Sequence, residues 1–182
     1  VDTVLVLQGP QGALKSSLLA ELAMRPEWFV DHVSEIGEKD AALQIAGPWI
    51  VEFSELDAIT GKRENERVKS WLTQQKDRFR PPFGRAVIEC PRRCVFSGTS
   101  NKSSFLRDDT GGRRYWPITV GKIDLGALRE MREQIWAEAV VAFERGDKWW
   151  FDSELLAAAQ EVQEYFRERD PWEDEIAAWI EE

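Results

Sequence analysis

The residues best suited to chemistry stand near the amino end, between Val4 and Leu19. Four apolar residues there predict a buried parallel strand, a glycine-containing loop follows, and an apolar helix begins at Lys15. Strand, loop and helix in this order form a phosphate cradle, because loop N–H groups and the positive helix end point at one spot. Lys15 can reach terminal phosphates, and the Ser16 hydroxyl can bind Mg²⁺. The predicted nucleotide-binding residues are Gly9, Pro10, Gln11, Gly12, Ala13, Leu14, Lys15, Ser16 and Ser17.

The loop departs from the common motif G-x-x-x-x-G-K-[ST] at one position. Gly9, Lys15 and Ser16 fit the motif, but Leu14 stands where its second glycine is expected. Gly12 lies three residues before the lysine. The alternative interpretation is a strand, turn and helix that carry a lysine by chance. The flanking strand and helix favour the phosphate loop, and Leu14 makes nucleotide affinity the property most open to test.

A second set of candidate residues surrounds the end of the apolar run from Trp49 to Phe53. Glu52 lies in this run, and Glu55 follows shortly after it. Beside a phosphate-loop strand this is the Walker B arrangement, in which one acid holds Mg²⁺ through water and another activates the attacking water. We expect Glu52 near the metal, together with Ser16, and Glu55 as the base, although the sequence alone leaves these roles open. Two exposed acids at a strand end are the alternative.

Two further candidates follow a third apolar segment. Asn101 ends the run from Cys94 and is placed to touch the terminal phosphate or the attacking water. Arg113 and Arg114 follow two glycines, which predicts that a turn holds them out to neutralise charge on a transferring phosphoryl group, often in a neighbouring subunit. The alternative is a pair of surface arginines bound to the nearby acids Asp108 and Asp109.

Charge is distributed unevenly along the chain. The net charge is −9, yet residues 62–114 hold 14 of the 24 basic residues and carry about +8. Within this region, residues 77–85 interleave three arginines with two aromatics around two prolines and a glycine, which predicts a loop or hairpin. We expect Arg78, Arg80 and Arg85 to contact single-stranded DNA. The alternative is a turn that Phe79 and Phe83 anchor in the core.

Size and composition predict one domain with a core. The chain has 182 residues, of which 43% are hydrophobic, and no apolar run is long enough to span a membrane. Its two cysteines and single histidine provide too few ligands for a zinc site and are typical of reduced cytoplasmic thiols. Because the chain begins close to the first strand, we expect further sequence before it.

The remainder of the chain predicts helices. Apolar residues recur with a helical period from Asp124 to Gly146, and Ser153 is a candidate N-cap for another helix. A last helix is predicted over 172–180, and the aromatic cluster 149–151 is expected to plug the core. We therefore divide the chain into a core, 1–121, and a helical carboxyl-terminal portion, 122–182. The predicted fold is a three-layer α/β P-loop NTPase with a mostly parallel sheet.

Several motifs in fixed order give this chain a resemblance to the virulence-associated protein E family. They cover nearly the whole chain, and they are the phosphate loop, the strand with Glu52 and Glu55, the stretch 77–84, the segment 98–101, the arginine-containing segment 106–117, and 135–139 with 146–150. The family is similar to P-loop ATPases related to superfamily 3 helicases of phages and mobile elements, and it often follows a primase domain.

The resemblance has consequences for fold, partners and site residues. It implies an AAA+-like core in a ring, hexameric by our expectation, with ATP and Mg²⁺ at subunit interfaces. It places ATP contacts on Gly9, Gly12, Lys15 and Ser16, the Walker B acid on Glu52, and the sensor residue on Asn101. It places the arginine finger on Arg113 or Arg114.

Two functions remain open at this stage. One is a ring-forming, DNA-stimulated ATPase or helicase that replicates a phage or mobile element. The other is an assembly or regulatory module that binds ATP and oligomerises without unwinding DNA. The basic stretch from Arg63 to Arg93 favours the first, and the missing glycine and the net charge favour the second.

Overall fold

The computed structural model describes residues 2–33, 36, 39–54, 56, 62–106, 114–168, 172, 176 and 179–180. The strands are, in chain order, β1 (Val4–Gln8), β2 (Phe29–Val30), β3 (Ile50–Phe53), β4 (Lys76–Phe79), β5 (Ile88–Pro91), β6 (Val95–Ser100) and β7 (Tyr115–Thr119). The helices are α1 (Lys15–Leu22), α2 (Lys39–Gln44), α3 (Lys62–Leu72), α4 (Leu125–Arg145) and α5 (Ser153–Tyr165), with a short 3₁₀ helix at Pro26–Trp28. Within these ranges, no helix combines the length and apolar character needed to cross a membrane.

Five parallel strands form the central sheet in the order β2-β3-β6-β1-β7. β1 lies between β6 and β7, with Val4 opposite both Phe96 and Tyr115. Parallel strands need crossover connections, so the sheet order places α1, α2 and α3 in the links between strands. Because all five strands run the same way, the residues that follow them meet at one edge of the sheet.

Each face of the sheet is covered by helices. Side chains alternate along β1, so Val4 and Val6 pack with Trp71 of α3 on one face. Leu7 packs with Leu19 of α1 on the other face. The expected three-layer α/β fold with a mostly parallel sheet is confirmed.

Helix α4 lies against α1. Arg132 of α4 donates to the Glu21 carboxylate of α1 at 2.8 Å, and Trp136 Nε1 donates to the Leu22 carbonyl at 2.9 Å. These contacts join residues of the predicted carboxyl-terminal portion to the core. The division at residue 121 stays a prediction.

The predicted ends of α4 agree with the structure, but the cap of α5 does not. Asp124 accepts hydrogen bonds from two first-turn N–H groups of α4, and Gly146 ends that helix with a φ of 76°. The N-cap of α5 is Asp152, which accepts from the Leu155 N–H at 3.1 Å, and Ser153 is the first helical residue. The prediction for Ser153 was wrong by one position because either side chain can cap a helix.

The aromatic cluster 149–151 does not plug the core as predicted. Trp149 and Trp150 are 57% and 52% exposed. The ring of Phe151 stacks on Trp116 of the edge strand β7, with centroids 4.1 Å apart. The predicted helix at 172–180 lies largely outside the described residues.

Strands β4 and β5 form a separate antiparallel hairpin, as one interpretation of this stretch predicted. Phe79 is buried, whereas the Phe83 side chain at the connecting loop is fully exposed and has a φ of 61°. The two aromatics therefore separate the alternatives, because Phe79 anchors the hairpin in the core and Phe83 is presented to solvent.

Candidate nucleotide-binding site

The carboxyl ends of β1, β3 and β6 bring the predicted site residues together. β6 lies between the other two strands, with Glu52 opposite Ser97 and Gln8 opposite Ser100. The phosphate loop leaves β1, and Asn101 leaves β6, at the same edge of the sheet. Residues far apart in sequence are neighbours here because the strands are parallel.

Lys15 lies at the first turn of α1 and is buried. Its ammonium group donates to the Gly9 carbonyl at 2.8 Å, the Pro10 carbonyl at 2.9 Å and Asn101 Oδ1 at 2.9 Å. Burial lowers the pKa of Lys15, and the negative charge of Glu52 opposes this shift. The loop thus holds a cation beside Asn101, as an anion-binding site requires.

Glu52 is fully buried and shares one of its oxygens between two hydroxyl groups. Ser16 Oγ donates to Glu52 Oε1 at 2.6 Å, and Thr99 Oγ1 donates to the same atom at 2.9 Å. Glu52 Oε2 is buried and makes no hydrogen bond with the part of the chain described. The second oxygen is therefore left for a ligand.

The pKa of Glu52 is raised above its ordinary value, mainly by burial. The Ser16 and Thr99 hydrogen bonds oppose this rise, the nearby charge of Asp31 adds to it, and Lys15 opposes it. A carboxylate that is costly to ionise is stabilised by an added cation.

Two positions of the phosphate loop require glycine, each for a different reason. A Cβ on Gly9 would lie 2.9 Å from Val120 Cγ2, so the close approach of the chain after β7 requires glycine there. Gly12 has open space around it but a φ of 81°, so its conformation is the reason for glycine. Leu14 has a φ of 63° and adopts the left-handed conformation expected of the missing motif glycine.

No side chain caps the amino end of α1, and the first turn of this helix contains no acidic residue. Its N–H groups therefore remain available to an anion. Beside it lies an open cleft of about 380 Å³. The cleft is lined by Gln11, Gly12, Ala13, Leu14, Lys15, Ser16, Ser17, Ser54, Thr99 and Asn101.

Among the remaining predicted catalytic residues, the structure describes only Arg114. Glu55 and Arg113 lie outside the described residues, as do the acids Asp108 and Asp109. Arg114 immediately precedes β7, at the amino edge of the sheet, whereas the phosphate loop follows the carboxyl end of β1. The two edges lie about 16 Å apart along β1.

The three arginines predicted to contact DNA lie on the hairpin. Arg78 forms an exposed ion pair with Glu89 at 3.4 Å, and Arg80 Nη2 donates to the Arg85 carbonyl at 3.4 Å. All three side chains are exposed. They flank the exposed Phe83, and none of them is among the residues that line the cleft beside α1.

Sequence reasoning missed two polar residues of the site. Thr99 precedes the predicted Asn101 by two positions, and Ser54 follows β3 directly. Both line the cleft. The alternation of the strand is the signal that finds Thr99, because Ser97 and Thr99 face the side of the sheet on which Glu52 lies.

The residues present fit a magnesium ion. Ser16 and Glu52 supply a hydroxyl and a carboxylate, which are the oxygen ligands that Mg²⁺ takes, and Glu52 Oε2 is buried without a partner among the described residues. In the same part of the chain, no three His, Cys, Asp or Glu side chains are grouped closely enough to hold a metal ion. A bound ion would therefore need phosphate oxygens and water as further ligands.

The parallel sheet and its strand–loop–helix define an α/β protein of the P-loop fold class. A family model described as the virulence-associated protein E-like domain matches residues 1–168. The chain belongs to this family.

Comparisons with other proteins gave distant structural likenesses. Two solved structures are described as the apo structure of the NrS-1 C-terminal region and the A form of that apo structure. They are 19% and 17% identical, with TM-scores of 0.49 and 0.47. The match covers 91% of this chain and 36% or 34% of those chains, so this chain spans about a third of their length. A comparison with curated proteins gave no match.

Proposed function

We propose that this domain binds ATP with Mg²⁺ in the cleft beside α1 and hydrolyses it. The supporting observation is the convergence of Lys15, Ser16, Glu52 and Asn101, which come from three strand ends and are joined by hydrogen bonds of 2.6 and 2.9 Å. Such a set is suited to phosphoryl transfer, where positioning and charge stabilisation provide most of the catalysis.

Each side chain has a distinct role in this proposal. The N–H groups of the loop and Lys15 bind the phosphates, and Asn101 orients the terminal phosphate or the attacking water. Ser16 and Glu52 hold Mg²⁺, which neutralises phosphate charge when bound. Glu55 remains our proposed base, with Glu52 the alternative.

The arginine finger must come from another subunit if it is Arg114. That residue lies at the amino edge of the sheet, about 16 Å along β1 from its own phosphate loop. An arginine held there can serve only a neighbour's cleft. This geometry favours activity in a closed ring, for which we propose a hexamer.

We further propose that the hairpin contacts single-stranded DNA. Arg78, Arg80 and Arg85 offer positive charge to phosphates, and the exposed Phe83 offers a ring for base stacking. With the chain's family, this supports a helicase or translocase that replicates a phage or mobile element, with a primase domain earlier in the protein. An ATP-dependent assembly module without unwinding is the alternative.

The test is the ATPase rate against protein concentration, with and without single-stranded DNA. We expect the rate to rise faster than linearly with concentration, to increase with DNA, and to fall by at least about a hundredfold in Lys15→Ala. Lys148→Ala, which removes an exposed lysine far along the chain, is the matched control.

A variant lacking Arg78, Arg80 and Arg85 tests the DNA contact. It should keep its basal ATPase rate, lose DNA stimulation and bind DNA with a shallower salt dependence. Arg145→Ala is the control. ATP binding that is lost in Lys15→Ala, without turnover at any concentration or with DNA, would instead support the assembly module.

A further inference from the structure

A carboxylate that the motifs do not include stands beside Glu52. β2 and β3 are parallel, with Phe29 opposite Ile50 and Val30 opposite Val51. Phe29 and Ile50 both pack on the face that α1 covers. Asp31 directly follows Val30 where β2 ends, and Glu52 directly follows Val51 within β3, so the backbones of the two acids are neighbours.

The backbone at Asp31 is tied to the nucleotide cleft. Ser54 Oγ donates to the Asp31 carbonyl at 3.0 Å, and Ser54 itself lines the cleft with Ser16 and Thr99. The Asp31 side chain is exposed to solvent at the carboxyl edge of the sheet.

The hydrogen bonds of Glu52 leave one atom for a cation. Both hydroxyl donors use Oε1, and the buried Oε2 has no partner in the ranges that the structure describes. Two neighbouring carboxylates, one with an unused oxygen, are stabilised by a hard cation. Mg²⁺ binds proteins through one or two carboxylates together with phosphates and water, which fits the small number of acids here.

We propose that Asp31 is the second carboxylate of the Mg²⁺ site and acts on the hydrated ion through water. This inference rests on the proposed function, because a nucleotide must supply the phosphate ligands. Glu52 faces the ion from the buried side and Asp31 from the solvent side.

Mn²⁺ binding, followed by electron paramagnetic resonance in the presence of ADP, tests the role of Asp31 without requiring turnover. Asp31→Asn keeps the size of the side chain and the backbone carbonyl that Ser54 contacts. We expect its Mn²⁺ affinity to fall about tenfold, the lower end of the range for partners around a metal's direct ligands. ADP affinity without metal should stay the same or tighten, because a negative charge near the phosphates is removed. Asp31→Glu should keep Mn²⁺ affinity within about threefold.

Asp40→Asn removes the same charge from an exposed position on α2 and is the matched control. If Asp31→Asn binds Mn²⁺ as tightly as Asp40→Asn while the wild type binds ADP and Mn²⁺ well, the inference about Asp31 fails and the proposed function stands. If the wild type binds no ADP with or without Mn²⁺, both fail. An equal loss of ADP affinity without metal in Asp31→Asn would also overturn the metal role.

Discussion

At the scale of single residues, Glu52 is a buried carboxylate whose ionisation is opposed by its surroundings. It is fully buried, and its hydrogen bonds to Ser16 and Thr99 do not restore an ordinary pKa. A group whose pKa is raised by folding binds its proton more tightly in the folded state. The free energy of unfolding therefore decreases as pH rises from the ordinary value of 4.5 through the folded value.

Glu52→Gln is accordingly expected to stabilise the metal-free protein at neutral pH. The neutral amide keeps an oxygen for the two hydroxyls and removes the buried charge. Urea unfolding should show a higher midpoint than wild type at pH 8 and little difference near pH 4. Glu144→Gln, at an exposed position of α4, should show no such trend. A wild-type protein that is more stable than Glu52→Gln at pH 8 without metal would contradict this argument.

The sequence predicted much of the cluster, and its misses have physical reasons. Gly9, Gly12, Lys15 and Ser16 are local to one loop, so spacing alone could bring them together. Leu14 shows why a motif mismatch is a weak argument, since a non-glycine can take the left-handed conformation at a cost of about 1–2 kcal/mol. Thr99 meets Glu52 across a strand pairing 47 positions apart, which no local pattern records.

At the scale of elements, the β4–β5 hairpin depends on one buried ion pair. Arg92 donates to Asp77 through two bonds of 2.7 Å, and both side chains are nearly buried. The same guanidinium donates to the Trp71 carbonyl and lies 4.3 Å from the centre of that ring. The pair therefore fixes the base of the hairpin to α3, while the loop with Phe83 extends away.

Removing one partner of this pair should lower the free energy of unfolding much more than removing both partners. Asp77→Leu leaves a buried guanidinium without its counter-charge and should lower the free energy of unfolding by about 3 kcal/mol or more. Asp77→Leu combined with Arg92→Leu should recover part of that loss. Urea unfolding followed by tryptophan fluorescence measures both.

Glu89 is the control for this prediction, because its ion pairs with Lys76 at 3.7 Å and Arg78 at 3.4 Å on the same hairpin are exposed. Glu89→Gln should cost less than about 1 kcal/mol. Equal losses for Asp77→Leu and Glu89→Gln would show that the buried pair does not anchor the hairpin.

The sequence predicted most elements but missed β7. Pro117 lies inside this strand, and proline normally argues against a strand. β7 is at the edge of the sheet, where a missing N–H can face away from the neighbour, so the proline is tolerated. Edge position is a property of the assembled sheet and cannot be read from the segment itself.

At the scale of the whole molecule, the parallel sheet places the two proposed parts of the site at opposite edges. The cleft beside α1 is at the carboxyl edge, and Arg114 is at the amino edge. The periodic apolar residues of α4 correctly predicted a helix, but Met131, Val140 and Phe143 remain exposed. Periodicity predicts the type of element, whereas burial depends on which other elements pack against it.

The separation of the two edges predicts complementation between defective subunits. Lys15→Ala removes the cleft's cation, and Arg114→Ala removes the proposed finger, so each variant alone should hydrolyse ATP at least about a hundredfold more slowly than wild type. In rings formed from an equal mixture, about one interface in four combines an intact Lys15 with an intact Arg114 from its neighbour. The mixture should therefore recover about a quarter of the wild-type rate after subunit exchange.

A finger that acted within its own subunit would give no recovery, because every subunit in the mixture carries one defect. An Arg114→Ala variant that keeps the wild-type rate would remove Arg114 from the mechanism and direct the same experiment to Arg113.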